Sequence, residues 1–175
     1  MEVVRVINKP YSSIGDLNRV ICYATNPEET KERTVGKEED KRLFIGRLGV
    51  NPYNSEMMIQ QMIAVKKMFH KEEGRQLRHI IVSFEKEWNV DPQTALYIAY
   101  DIARYYSNRY QICFGVHQNT DDIHIHFVMN TVSFIDGKMY SGAFLELQQL
   151  KTHVSEVVHR YYPQYNCRRR SLDEF

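Results

Sequence analysis

The chain has 175 residues and a mass of 20.8 kDa, with 43% hydrophobic and 26% charged residues. That balance excludes disordered and fibrous classes and suits one folded domain over 1–175. Lys and Arg total 23 against 22 Asp and Glu, a net charge of +1, so any nucleic-acid binding must rest on a local patch rather than a global positive field.

Val3 to Ile7 reads as a short strand. Ser13 to Ala24 reads as a helix, because Leu17, Val20, Ile21 and Ala24 share one face and Pro27 helps stop it. Glu28 to Arg42 is charge-rich with almost no apolar content and is expected to be a solvated loop. Leu43 to Val50 is a weak strand or turn ended by Asn51-Pro52. Ser55 to Lys71 predicts a helix capped by Ser55, with Met58, Met62, Val65 and Phe69 as its apolar line.

Leu77 to Glu85 alternates as a strand, Ile80, Val82 and Phe84 facing one way and His79, Ile81 and Ser83 the other. Pro92 to Tyr106 predicts a helix with Asp91 as cap and Pro92 at its first position. Tyr110 to His117 and Ile123 to Ser133 are two strands whose short polar connection, Gln118 to Asp122, predicts an antiparallel hairpin. Ala143 to Tyr162 is a long helix ended by Pro163. The expected fold is α+β: an antiparallel sheet with helices packed mainly on one face.

The three cysteines, Cys22, Cys113 and Cys167, are too few and too dispersed for a disulfide framework or a Cys-rich zinc module. No apolar run approaches the roughly 18 residues of a membrane span, and the first ten residues lack a signal-peptide core. A cytoplasmic setting without a membrane partner is expected.

The densest chemistry lies in His117-Gln-Asn-Thr-Asp-Asp-Ile-His124-Ile-His126-Phe-Val-Met-Asn130. Strand alternation points His124, His126, Val128 and Asn130 one way and Ile123, Ile125, Phe127 and Met129 the other, into a core. Closing the hairpin through 118–122 sets His117 across from His124, so three imidazoles converge on one face. Three neutral imidazoles at one spot make a divalent-metal site with open positions, able to polarise a substrate oxygen. Asp121 or Asp122 is placed to fix a ring tautomer from behind.

His117, His124 and His126, preceded by Asn-Thr-Asp and followed by Asn130, resemble the three-histidine motif of conjugative relaxases. These are the mobilisation nucleases of plasmids and integrative conjugative elements, within the HUH endonuclease class. The resemblance is strongest to the group that includes plasmid-mobilisation and T-DNA border nucleases. Ile21-Cys-Tyr-Ala-Thr-Asn-Pro-Glu-Glu-Thr30 is similar to that group's first motif and His79-Ile-Ile-Val-Ser-Phe84 to its second. The resemblance implies an HUH-type two-layer sandwich. The family's usual long C-terminal region is missing, so it also implies the N-terminal part of a longer protein.

The activity implied is metal-dependent, site- and strand-specific nicking and rejoining of DNA at a transfer origin. A tyrosine attacks the scissile phosphorus, frees a 3′-hydroxyl and holds the 5′-phosphate covalently. Tyr23 matches the nucleophile's position, and on a helical wheel it lies roughly 110° from the centre of the apolar face, able to reach outward. Tyr11 is the runner-up. Asp121 is the candidate base, Mn²⁺ or Mg²⁺ the expected cofactor, and Ser83, His79 and Asn130 the supporting residues. Single-stranded or hairpin origin DNA is the expected partner, with an accessory relaxosome protein and a coupling protein beside it. Basic residues that suit a single strand are Lys31, Arg33, Lys37, Lys41, Arg42 and Arg47, and Arg168, Arg169 and Arg170 near the C-terminus. Two rivals stay open: a replication-initiator or transposase HUH nuclease, using Tyr140, Tyr161 or Tyr162, and a non-catalytic metal or nucleic-acid binding module.

Overall fold

The computed structural model describes residues 2–26, 44–51, 54–118 and 122–164. Five strands form one sheet: β1 (Glu2–Val6), β2 (Ile45–Leu48), β3 (Leu77–Phe84), β4 (Ile112–His117) and β5 (His124–Asn130). Their order across the sheet is β1-β3-β5-β4-β2, and every neighbouring pair is antiparallel. Among the described residues four α-helices accompany it: α1 (Ile14–Ala24), α2 (Ser55–Met68), α3 (Pro92–Ala103) and α4 (Phe144–Tyr161). The α+β architecture with an antiparallel sheet is the one expected.

The alternation of the strands divides the molecule into two unequal cores. On one face Ile80, Val82 and Phe84 of β3, Phe114 and Val116 of β4, and Ile125, Phe127 and Met129 of β5 are buried under α3 and α4. This is the larger core. On the other face, α1 and α2 cover only part of the sheet. Leu17, Val20, Ile21 and Ala24 of α1 and Met58, Ile59 and Met62 of α2 pack on Leu77, Cys113 and Val128. One step along each central strand that face changes from apolar to imidazole: Leu77 gives way to His79, and Val128 to His126.

The helix signals act as their chemistry requires. Ser13 caps α1 with a capping box: its Oγ accepts the Asp16 N–H at 3.0 Å, and Asp16 Oδ2 accepts the Ser13 N–H at 3.1 Å. Asp91 caps α3, accepting the Thr94 N–H at 2.9 Å, with Pro92 in the first turn. For α2 the cap is Asn54, not Ser55; its Oδ1 accepts the Met57 N–H at 2.8 Å. The buried line of α2 is Met58, Ile59, Met62 and Lys66, rotated from the predicted Met58-Met62-Val65-Phe69 line. Lys66 is fully buried because its ammonium reaches the Gln76 carbonyl at 2.8 Å.

Candidate active site

The register sets the histidines side by side. His117 on β4 pairs with His124 on β5, and His124 pairs in turn with Ser83 on β3. His126 sits between Ile81 and Gly115, and His79 beside Val128. Directly paired residues share a face, so the triad, His79 and Ser83 all lie on the side that α1 and α2 leave partly open. Ring centroids are 4.3 Å apart for His117 and His126, 4.9 Å for His124 and His126, and 5.4 Å for His117 and His124. One nitrogen from each ring lies within 4.8 Å of the others.

Each ring also uses its second nitrogen. The last carbonyls of a helix have no intrahelical partner, and the carbonyl of Ala24 in the final turn of α1 accepts from His117 Nε2 at 3.0 Å. That bond puts the proton on Nε2 and leaves Nδ1 as the donor atom for a cation. His124 Nδ1 donates to the Asp122 carbonyl at 3.1 Å, which leaves its Nε2. His126 Nδ1 lies 2.9 Å from His79 Nε2. Its own Nε2 is buried, with no hydrogen-bond partner among the described residues. Burial, then the His117, His79 and His124 rings, push the His126 imidazole down to about 2. Burial, then His117 and Lys9, push His79 down to about 4. Both rings are therefore neutral at physiological pH, as metal ligation by nitrogen requires. An orphaned buried Nε2 and three imidazoles with fixed second nitrogens fit a divalent cation.

Tyr23, one residue before the carbonyl that holds His117, is 42% exposed. Its ring stands edge-on to His117 at 5.2 Å and 70°, and to His126 at 5.1 Å and 82°. The flank position read from the helical wheel thus becomes a tyrosine lying on the imidazole cluster. Tyr11 is brought to the same neighbourhood but is buried, with its hydroxyl 3.3 Å from His79 Nδ1. Ser83 is half-buried beside His124.

Asn130 is held elsewhere. Its amide nitrogen donates to the Met62 carbonyl at 3.1 Å and to Gln111 Oε1 at 2.9 Å, and its oxygen accepts the Val132 N–H at 3.2 Å. It ties β5 to α2 rather than orienting a histidine. Arg47 lies on the histidine face of the edge strand β2, paired with Cys113. Asp121, Arg33, Arg168, Arg169 and Arg170 lie outside the described residues, as do Lys31, Lys37, Lys41 and Arg42. Sequence reasoning overlooked Arg5, which is exposed on the histidine face of β1 across from Ile81, and Lys9, whose charge is felt by His79. The alternation of Val4, Arg5 and Val6 carried that signal.

An antiparallel sheet bearing a three-imidazole cluster with a tyrosine against it is the arrangement that the resemblance to relaxase nucleases implies. The sequence matches the family described as "Relaxase: MobA/VirD2-like, nuclease domain" over residues 23–162, and the chain belongs to that family. The match supports a role as a relaxase nuclease in mobilisation. A solved structure from work on the molecular basis of vancomycin resistance transfer in Staphylococcus aureus shares the fold, with a TM-score of 0.62 at 13% identity over 100% of both chains. Comparison with curated proteins gave no match. No helix among the described residues is long and apolar enough to cross a membrane.

Proposed function

We infer that this domain nicks and rejoins one strand of DNA at a transfer origin, initiating conjugative transfer or mobilisation, through a covalent bond to Tyr23. The observation that carries this reading is the half-exposed Tyr23 ring seated edge-on against both His117 and His126. The Tyr23 oxygen attacks the scissile phosphorus, the bond from phosphorus to the 3′ oxygen breaks, and a 5′-phosphotyrosine forms. The phenolic proton leaves Tyr23 and a proton is taken up by the departing 3′ oxygen. Reversal of the same steps rejoins the strand.

His117, His124 and His126 would hold the divalent cation, which when bound offsets the charge on the phosphate and its transition state. Of the two ions expected, an all-nitrogen donor set favours Mn²⁺ over Mg²⁺. Ser83, half-buried beside His124, is in position to meet the DNA next to the cut. Arg5, Lys9 and Arg47 supply positive charge around the histidine face, and Arg33 and Arg168 to Arg170 extend the basic candidates. Asp121 remains the candidate base. The partner is single-stranded or hairpin origin DNA, met in the cytoplasm together with accessory relaxosome and coupling proteins.

The rival with the tyrosine after the histidines is disfavoured by position. Tyr140 packs against Tyr106 and Tyr110, Tyr161 donates to Asp101 at 3.0 Å, and Tyr162 lies tilted against Trp88, all against the larger core. The test is a protein–DNA adduct on a denaturing gel, using single-stranded oligonucleotides tiled across the element's transfer origin with Mn²⁺. The adduct is expected in the wild type and absent from both Tyr23→Phe and His126→Ala. An adduct that survives Tyr23→Phe would move the nucleophile elsewhere. No adduct from a protein that binds Mn²⁺ and origin DNA would favour the non-catalytic module.

A further inference from the structure

Four hydrogen bonds form a continuous buried line that ends at the imidazole cluster. The Lys66 ammonium donates to the Gln76 carbonyl at 2.8 Å, and the Gln76 N–H donates to the Tyr11 carbonyl at 2.7 Å. The Tyr11 hydroxyl lies 3.3 Å from His79 Nδ1, and His79 Nε2 lies 2.9 Å from His126 Nδ1. Lys66, Gln76, Tyr11, His79 and His126 are all buried. Tyr11 sits in the left-handed backbone region, at φ +43°, a conformation that costs about 1 kcal/mol or more for a non-glycine residue and persists only where its surroundings enforce it. In that conformation the Tyr11 carbonyl accepts the Gln76 N–H and the buried side chain reaches His79.

We propose that His79 and Tyr11 are positioning residues for the cation site, fixing the orientation and tautomer of His126. The reading rests on the triad being a metal centre, but not on Tyr23 being the nucleophile. A neutral imidazole has one donor and one acceptor nitrogen. When His126 Nε2 serves as a ligand, its proton must be on Nδ1, which donates to His79 Nε2. His79 then carries its proton on Nδ1 and donates to the Tyr11 oxygen. Ligand histidines commonly donate their second nitrogen to a carboxylate, a carbonyl or water. His117 and His124 follow that pattern with carbonyls, whereas His126 uses a second imidazole with a phenol behind it. The arrangement holds the ring without placing a further negative charge beside the site.

The experiment measures Mn²⁺ affinity of the DNA-free protein by calorimetry, with the melting temperature of the metal-free protein beside it. Four proteins are compared: wild type, His79→Leu, His79→Gln and Tyr11→Phe. His79→Leu is expected to weaken Mn²⁺ binding by about 10–100-fold. His79→Gln, whose amide can accept from His126 and donate to Tyr11, is expected to recover most of that loss. Tyr11→Phe keeps the ring and removes only the hydroxyl; a several-fold loss is expected, and it carries the test if His79→Leu does not fold. Wild-type affinity in a folded His79→Leu protein would overturn the proposal, as would a His79→Gln protein no better than His79→Leu. Absence of Mn²⁺ binding by the wild type would instead overturn the metal-centre reading itself, and the positioning role with it.

Discussion

Lys66 holds an ammonium group inside the smaller core, and its effect on stability can be worked out. Burial pushes its pKa from 10.5 down to about 8, so the folded state gives up this proton more readily than the unfolded chain. Between pH 8 and 10.5 the unfolded state binds more protons, and stability must rise with pH. At pH 7 the difference amounts to about 3 kcal/mol of destabilisation, and between pH 7 and pH 9 about 1 kcal/mol of it is recovered. The perturbation is Lys66→Met, which keeps a long side chain and removes the charge. Urea unfolding at pH 7, 8 and 9, followed by Trp88 fluorescence, gives the stability of both proteins. The wild type should gain about 1 kcal/mol more than the variant over that range. Cys113, whose thiol burial pushes up to about 12, acts in the opposite direction near pH 9, but equally in both proteins. Parallel pH profiles would refute the reasoning, because the lysine would then titrate as freely as in water. The variant also leaves the Gln76 carbonyl without its donor, a pH-independent loss that shifts one curve but does not tilt it.

Other outcomes follow from the geometry. A Cβ on Gly46 would stand 2.2 Å from Phe114 Cε2 and Cζ and 2.9 Å from Tyr100 Cζ, so Gly46→Ala should cost about 1–3 kcal/mol in a urea melt. Mn²⁺ at a hundred times its dissociation constant should stabilise the fold by about 2.7 kcal/mol. Chelation should abolish that gain and His124→Ala should reduce it, both visible in melting temperature. Ser13→Ala removes the capping box of α1 and should cost about 1 kcal/mol in a thermal melt.

The parts of the fold legible in the sequence are those whose chemistry is local. The β4–β5 hairpin could be read because period-two alternation and a short polar connection act within twenty residues. The same alternation placed His117, His124 and His126 on one face. The insertion of β5 between β3 and β4 was not legible, because strand pairing across the sheet leaves no local signature; His79 reaches His126 across 47 positions. In the sequence Tyr11 stands as a second candidate nucleophile, because nothing in its neighbourhood reveals a left-handed backbone or a partner 68 residues away. Helical periodicity counts Lys66 as solvent-facing and so leaves it off the apolar line of α2, whereas its burial depends on the Gln76 carbonyl beyond the helix. Asn130 was assigned by its face alone, and the competing acceptors on α2 and Gln111 decided otherwise.

The last turn of α1 carries Tyr23 and, on the next residue, the carbonyl that grips His117. Were a DNA strand covalently attached to Tyr23, tension along it would enter the protein at this turn. It would pass through the Ala24–His117 bond into β4, which is paired on both sides, by β5 and β2. The anchor for such a load is the sheet rather than a loop. Because Tyr23 and the carbonyl that holds His117 are on adjacent residues, a displacement of α1 under such a load would carry both.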